Sequence, residues 1–183
     1  MESCETNIKG VLVVKPDVYK DERGFFTETY SKERYSILGI KEDFVQDNYS
    51  FSVKGTLRGL HYQLMHPQAK LVRVLKGEVF DVAVDLRRES PTFGNYFSLT
   101  LSDTNLYQLF MPAGIAHGFF VLSESAHFEY KCSEYYYAKD QHGLLWNDET
   151  VNVNWPSEKV LLSDQDSNFV TLNEKRSEDL PVS

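Results

Sequence analysis

With only two cysteines, Cys4 and Cys132, far apart in the sequence, the chain has no disulfide framework and no CxxC pair for zinc. Basic residues are also scarce: 19 Lys and Arg stand against 27 Asp and Glu, a formal net charge of −8. That excess argues against nonspecific binding of nucleic acid or an anionic membrane, which cationic surfaces hold. No apolar run approaches the ~20 residues of a bilayer-spanning helix. The opening MESCETNIKG lacks a basic n-region and an apolar h-region, so no signal peptide and a cytoplasmic location are expected. Repeats, low-complexity segments and linkers are absent, so one domain over residues 1–183 is expected. Its polar ends, 1–7 with Cys4 and 173–183, are expected to be frayed.

Aromatics, by contrast, are plentiful, with 11 Tyr and 12 Phe. Runs rich in β-branched and aromatic residues recur about every ten positions, punctuated by Gly, Pro, Ser or Asn, which predicts an all-β sandwich or jelly roll. IKGVLVV, FFTETY, DFVQDNYSFSV, LRGLHYQ, KLVRVLKG, EVFDVAVDL, YFSLTLS, YQLFMPAG, IAHGFFVLS and AHFEYKCSEYY are the expected strands. In SKERYSILG, Ser31 as N-cap and Gly39 as stop predict a short helix. The segment after Leu144 reads as irregular chain with a second short helix around LLSDQD.

Candidate chemistry concentrates between Gly55 and Asp85, where Arg58, His61, Lys70, Arg73, Asp81 and Asp85 fall in strand-like segments. Charge placed in strands gives up packing and marks a candidate site. Lys70 alternates with Val72 and Val74, and an ammonium on such a face is costly unless an anion meets it. His117 shares its face with Phe119 and Val121, and Tyr130 with Phe128 and Cys132, so both are expected to point inward. Each alone has an ordinary reading: a satisfied histidine, a core tyrosine bonded to a carbonyl, and, for Asp166, a helix cap. Together they make a site. A metal centre on a His-x-His pair with a following carboxylate is disfavoured, because the sequence reads His61-Tyr62-Gln63 and then Lys70, a set poor in anionic ligands.

At LRGLHYQ, QAKLVRVLKGEVFDVAVDLR, SPTFG, AHGFF, YKCSEYY, the stretch from Trp146 to Pro156 and LSDQD, the sequence closely resembles the dTDP-4-dehydrorhamnose 3,5-epimerase family, in order and over nearly the whole chain. The resemblance implies a cupin-type jelly roll with a few short peripheral helices. It implies a homodimer, no metal or organic cofactor, and a nucleotide-linked 4-keto-6-deoxyhexose as substrate.

It also implies roles. His61 matches the base that removes a proton beside the ketone, and Asp166 the carboxylate that orients it. Lys70 matches the cation that stabilises the enolate, and Tyr130 the acid that returns a proton to the opposite face at C5. His117 and Asp81 match positions around the sugar, and Arg23 and Arg58 those that bind diphosphate. Phe26 and Glu28 match residues that reach the nucleotide from the partner subunit, Gln46 and Asn48 polar contacts, and Tyr136 the ring stacked on thymine. Gln141 stands where the family usually has Glu, and Gln165 where Lys is common, so reaction type is better specified than base or sugar. These residues leave open inversion at both C3 and C5, inversion at C3 alone, and action on another nucleotide-4-ketosugar. A binding module without turnover would need a defective site, yet the base, its orienting acid, the cation and the phenol are all present.

Overall fold

The computed structural model describes residues 1–182. Its strands, in chain order, are β1 (Glu2–Glu5), β2 (Leu12–Lys15), β3 (Val18–Asp21), β4 (Gly24–Thr27), β5 (Gln46–Val53), β6 (Leu57–Gln63), β7 (Lys70–Lys76), β8 (Glu78–Asp85), β9 (Tyr96–Ser102), β10 (Gln108–Met111), β11 (Ile115–Val121), β12 (Ser125–Cys132) and β13 (Gln141–Gly143). They form a six-stranded sheet, β1-β2-β10-β7-β12-β5, a five-stranded sheet, β13-β6-β11-β8-β9, and the hairpin β3-β4. Pairing within both large sheets is antiparallel. The architecture is the expected all-β jelly roll, with α1 (Lys32–Ile37) and α2 (Asp164–Ser167) at its periphery.

Inward alternation builds the core. Val13, Val72, Val74, Leu109 and Phe128 of one sheet meet Val79, Ala83, Leu101, Phe119 and Val121 of the other. Both sheets are also covered outside, which is why β11 is buried along its whole length. Chain beyond Gly143 lays Leu144, Val151, Leu172 and Leu180 over Leu60, Val82, Val84 and Ala116. Tyr35 of α1, capped by Ser31, packs with Ile40 against Val14, Leu71 and Phe110.

Both ends of the chain correct the expectation of fraying. Glu2–Glu5 pairs with β2, placing Cys4 opposite Val13 and against the core. A polar strand is held there by main-chain bonds, which hydropathy does not register. At the other end, Ser177–Asp179 forms a 3-10 turn, Leu180 is buried, and the amides of Arg88 and Glu89 donate to the carbonyls of Pro181 and Val182. Ser183 lies outside the described residues.

The strands β6 and β11 cross unusually closely. A Cβ on Gly59, whose φ is +110°, would lie 2.5 Å from the His117 carbonyl oxygen, and one on Gly118 would lie 2.6 Å from that of Arg58. The two glycines let the backbones touch where the register shifts between His117 and Phe119. His61 and His117 are cross-strand partners at that point.

Candidate active site

Where the apolar core stops, polar residues take over the inward positions, and a cavity of about 360 Å³ opens between the sheets. His61 and His117 face it from the five-stranded sheet; Lys70, Tyr130, Cys132, Gln46, Asn48 and Ser50 face it from the six-stranded one. An imidazole and a phenol thus occupy opposite walls.

His61 is oriented from behind. Its Nε2 lies 2.6 Å from Asp166 Oδ1, and the second carboxylate oxygen accepts from the Gly59 amide at 3.4 Å. A carboxylate only accepts, so the ring proton sits on Nε2 and the lone pair on Nδ1 is left to take a proton. Phe169 packs edge-on against the ring at 5.6 Å. Asp166 is buried on α2 but is not the cap of that helix. Ser163 is, its Oγ accepting from the Asp166 amide at 3.1 Å. The spelling Ser-x-x-Asp is that of a capping box, in which the acid returns to the helix start. Here the acid serves His61 instead.

Lys70 is nine-tenths buried at the cavity wall. Burial lowers its ammonium from the usual lysine range, with Cys132 and Asp81 opposing that shift. Asp81, fully buried, takes His117 Nε2 at 2.9 Å and 3.0 Å on its two oxygens. Burial pushes its carboxyl up, and the nearby His117 and Lys70 pull it back part of the way. A cavity lined this way offers a fixed positive charge to an oxyanion without first stripping it of water.

Burial pushes the Tyr130 phenol up to about 12, so it is a proton donor at neutral pH. Cys132 and Tyr130 stand opposite Lys70 and Val72 in register, and opposite Gln46 and Asn48 on the other side. Arg58 reaches the cavity mouth, its Nε donating to Ser52 Oγ at 2.9 Å. At the far rim, Tyr136 donates through its hydroxyl to Gln141 Oε1, and its amide donates to Gln46 Oε1 at 3.0 Å. Gln46 in turn donates to Asn48 Oδ1 at 3.0 Å.

The structure therefore gathers His61, Lys70, Arg58, Gln46, Asn48, His117, Tyr130, Tyr136 and Gln141 around one cavity, with Asp81 and Asp166 directly behind. It does not bring Arg23, Phe26 or Glu28 to that cavity. Arg23 pairs with Asp21 in the β3-β4 turn, Phe26 is 70% exposed, and Glu28 pairs with Arg34 at 3.4 Å. Ser163, Phe169 and Ser52 escape the sequence reading, and Gln63 enters it only as a poor metal ligand. Of the first three, only Ser163 leaves a trace there, through the capping-box spelling.

The family model described as dTDP-4-dehydrorhamnose 3,5-epimerase matches residues 5–174. A curated protein of that name from Shigella flexneri is 50% identical over 92% of this chain and 94% of its own. A dTDP-6-deoxy-D-glucose-3,5-epimerase from Legionella pneumophila, solved with dTDP-4-keto-L-rhamnose, superposes with a TM-score of 0.96 at 47% identity, covering 100% of this chain and 98% of that one. A 3'-monoepimerase from Streptomyces bikiniensis, solved with dTDP-quinovose, superposes at 0.91 with 31% identity, covering 99% and 92%. Sequence, fold and cavity agree, and the chain belongs to the dTDP-4-dehydrorhamnose 3,5-epimerase family.

Proposed function

We propose that this protein epimerises dTDP-4-dehydro-6-deoxy-D-glucose at C3 and C5, giving dTDP-4-dehydro-L-rhamnose, with no metal or organic cofactor. The observation that carries this reading is the pairing of opposite walls: His61, bonded to Asp166, on one, and Lys70 with Tyr130 on the other. The C4 ketone acidifies the hydrogens on both neighbouring carbons. His61 takes one through Nδ1, and the electron pair moves to O4, where the Lys70 ammonium meets the charge. At C5, Tyr130 then gives its proton to the opposite face, which inverts that carbon, and at C3 solvent water supplies the returning proton. His117, held by Asp81, and Gln46 and Asn48 fix the sugar; Arg58 takes the diphosphate; Tyr136 and Gln141 take the base.

Incubation with this substrate in D2O tests the reading. Deuterium enters C3 and C5; a substrate recovered unlabelled at both positions ends it. The likeness to a 3'-monoepimerase favours inversion at C3 alone as the second reading. NMR of the product after stereospecific reduction at C4 decides between the two.

The same reading makes the protein a homodimer. The edge strand β5 exposes Tyr49, Phe51 and Val53, and the β3-β4 hairpin exposes Tyr19, Phe25 and Phe26. Unpaired edges and apolar faces of this kind call for a partner. Arg23, Phe26 and Glu28, remote from their own cavity, then serve the partner's. Both cysteines are free thiols, the state kept by a reducing cytoplasm, and no helix is long and apolar enough to cross a membrane among the described residues.

A further inference from the structure

We infer that Gln63 is a positioning residue that ties the nucleobase end of the site to the strand carrying the base. The inference rests on the assignment of Tyr136 to the nucleobase. Gln63 is buried and follows His61 by two residues on the same face of β6. Its carboxamide is spent wholly on main chain. Nε2 donates to the Tyr135 carbonyl at 3.1 Å and to the His66 carbonyl at 2.8 Å, while Oε1 accepts from the Tyr137 amide at 2.8 Å. Residues 135 and 137 flank Tyr136, so one side chain grips the loop on both sides of that ring.

Apart from the Tyr137 ring stacked on His66 at 3.9 Å, this loop has little apolar contact to hold its place. Tyr135, Tyr136 and Tyr137 are all exposed, and a segment anchored by little buried surface is ordered by its polar bonds. The grip is also returned. Asp140, buried and adjacent to Gln141, accepts from the amides of Leu64, Met65 and His66, the three residues after Gln63, and contacts His66 Nδ1 at 3.0 Å. Each side chain thus bonds the main chain of the other's segment. The clasp fixes Tyr136 and Gln141 on the strand that carries His61, so the nucleobase end of the site is held in its binding shape before dTDP arrives.

The test uses the full chain with Gln63→Met, which keeps the shape and removes all three bonds, alongside Tyr136→Ala and the double variant. Gln63→Met is expected to raise the Kd for dTDP and the KM by about tenfold, with kcat at saturation within about threefold of the native value. Because Gln63 acts through Tyr136, the double variant should bind dTDP no more weakly than Tyr136→Ala alone. Native dTDP affinity in Gln63→Met, additive losses in the double variant, or a fall in kcat with KM unchanged would each overturn the inference. If Tyr136→Ala also binds dTDP normally, the nucleobase assignment falls, and the inference with it. Should Gln63→Met not fold, Gln63→Glu is read in the same way, since it sets a carboxylate against two carbonyls. Amide exchange in the native protein then adds a check: protection of the Tyr137 amide supports the clasp, and exchange at open-loop rates overturns it.

Discussion

At the scale of single residues, Asp166 decides which nitrogen of His61 carries the proton. Removing the imidazole and removing its orienting acid should therefore differ in degree. His61→Ala is expected to abolish deuterium exchange at both C3 and C5. Asp166→Asn, nearly isosteric but able to present an amide donor to Nε2, should slow it by about 10²-fold or more; native exchange in Asp166→Asn would show that the pair serves packing only. The alkaline side separates the two other groups. Lys70, lowered by burial, turns neutral below the ordinary lysine value of 10.5, whereas the Tyr130 phenol holds its proton to about 12. In the proposed reaction, stabilisation of the enolate is thus present below the folded Lys70 value and is lost as pH rises through it. Tyr130→Phe should keep exchange at C3 better than at C5, with the alkaline limb of C3 exchange still in place. A limb that disappears with the phenol would transfer that titration from Lys70 to Tyr130.

At the scale of elements, the site depends on β6 and β11 lying close enough for His61 and His117 to pair. Gly59→Ala places a methyl against a carbonyl oxygen and forces φ of +110° on a side chain. It should cost about 3 kcal/mol or more, read from the urea midpoint. Gly55→Ala, with φ of +80° and nothing within 4 Å, isolates the backbone part at about 1 kcal/mol. Equal losses for the two would deny that the close crossing matters. The elements differ in how openly the sequence declares them. β7 was legible because Lys70, Val72 and Val74 alternate with a period of two, and α1 because Ser31 and Gly39 bracket it. β1 was not, because its stability lies in main-chain pairing with Leu12–Lys15 rather than in its side chains. β11 declared its inward side through the alternation of His117, Phe119 and Val121, although its other face is buried as well. The inward direction of Tyr130 could be read from Phe128 and Cys132, but the bond from Gln63 to the loop around Tyr136 could not. It joins side chain to main chain, and no residue pattern encodes that.

At the scale of the molecule, one chain gathers the proposed base, acid and oxyanion cation in one cavity, yet it carries Arg23, Phe26 and Glu28 away from them. If those residues complete the neighbouring site, an Arg23→Ala protomer and a His61→Ala protomer repair each other. Each alone should be impaired, and statistical hybrids of the two should recover about a quarter of the native rate, one intact site in half of the dimers. Hybrids no faster than the mean of the parents would confine Arg23 to its own subunit.

The bond between His61 and Asp166 joins residues 105 positions apart. During synthesis the imidazole leaves the ribosome long before its carboxylate does. A partly made chain that has already paired β6 with β11 still lacks the anion that holds the ring proton on Nε2. The imidazole therefore stays unoriented until α2 has been made and has docked behind β6.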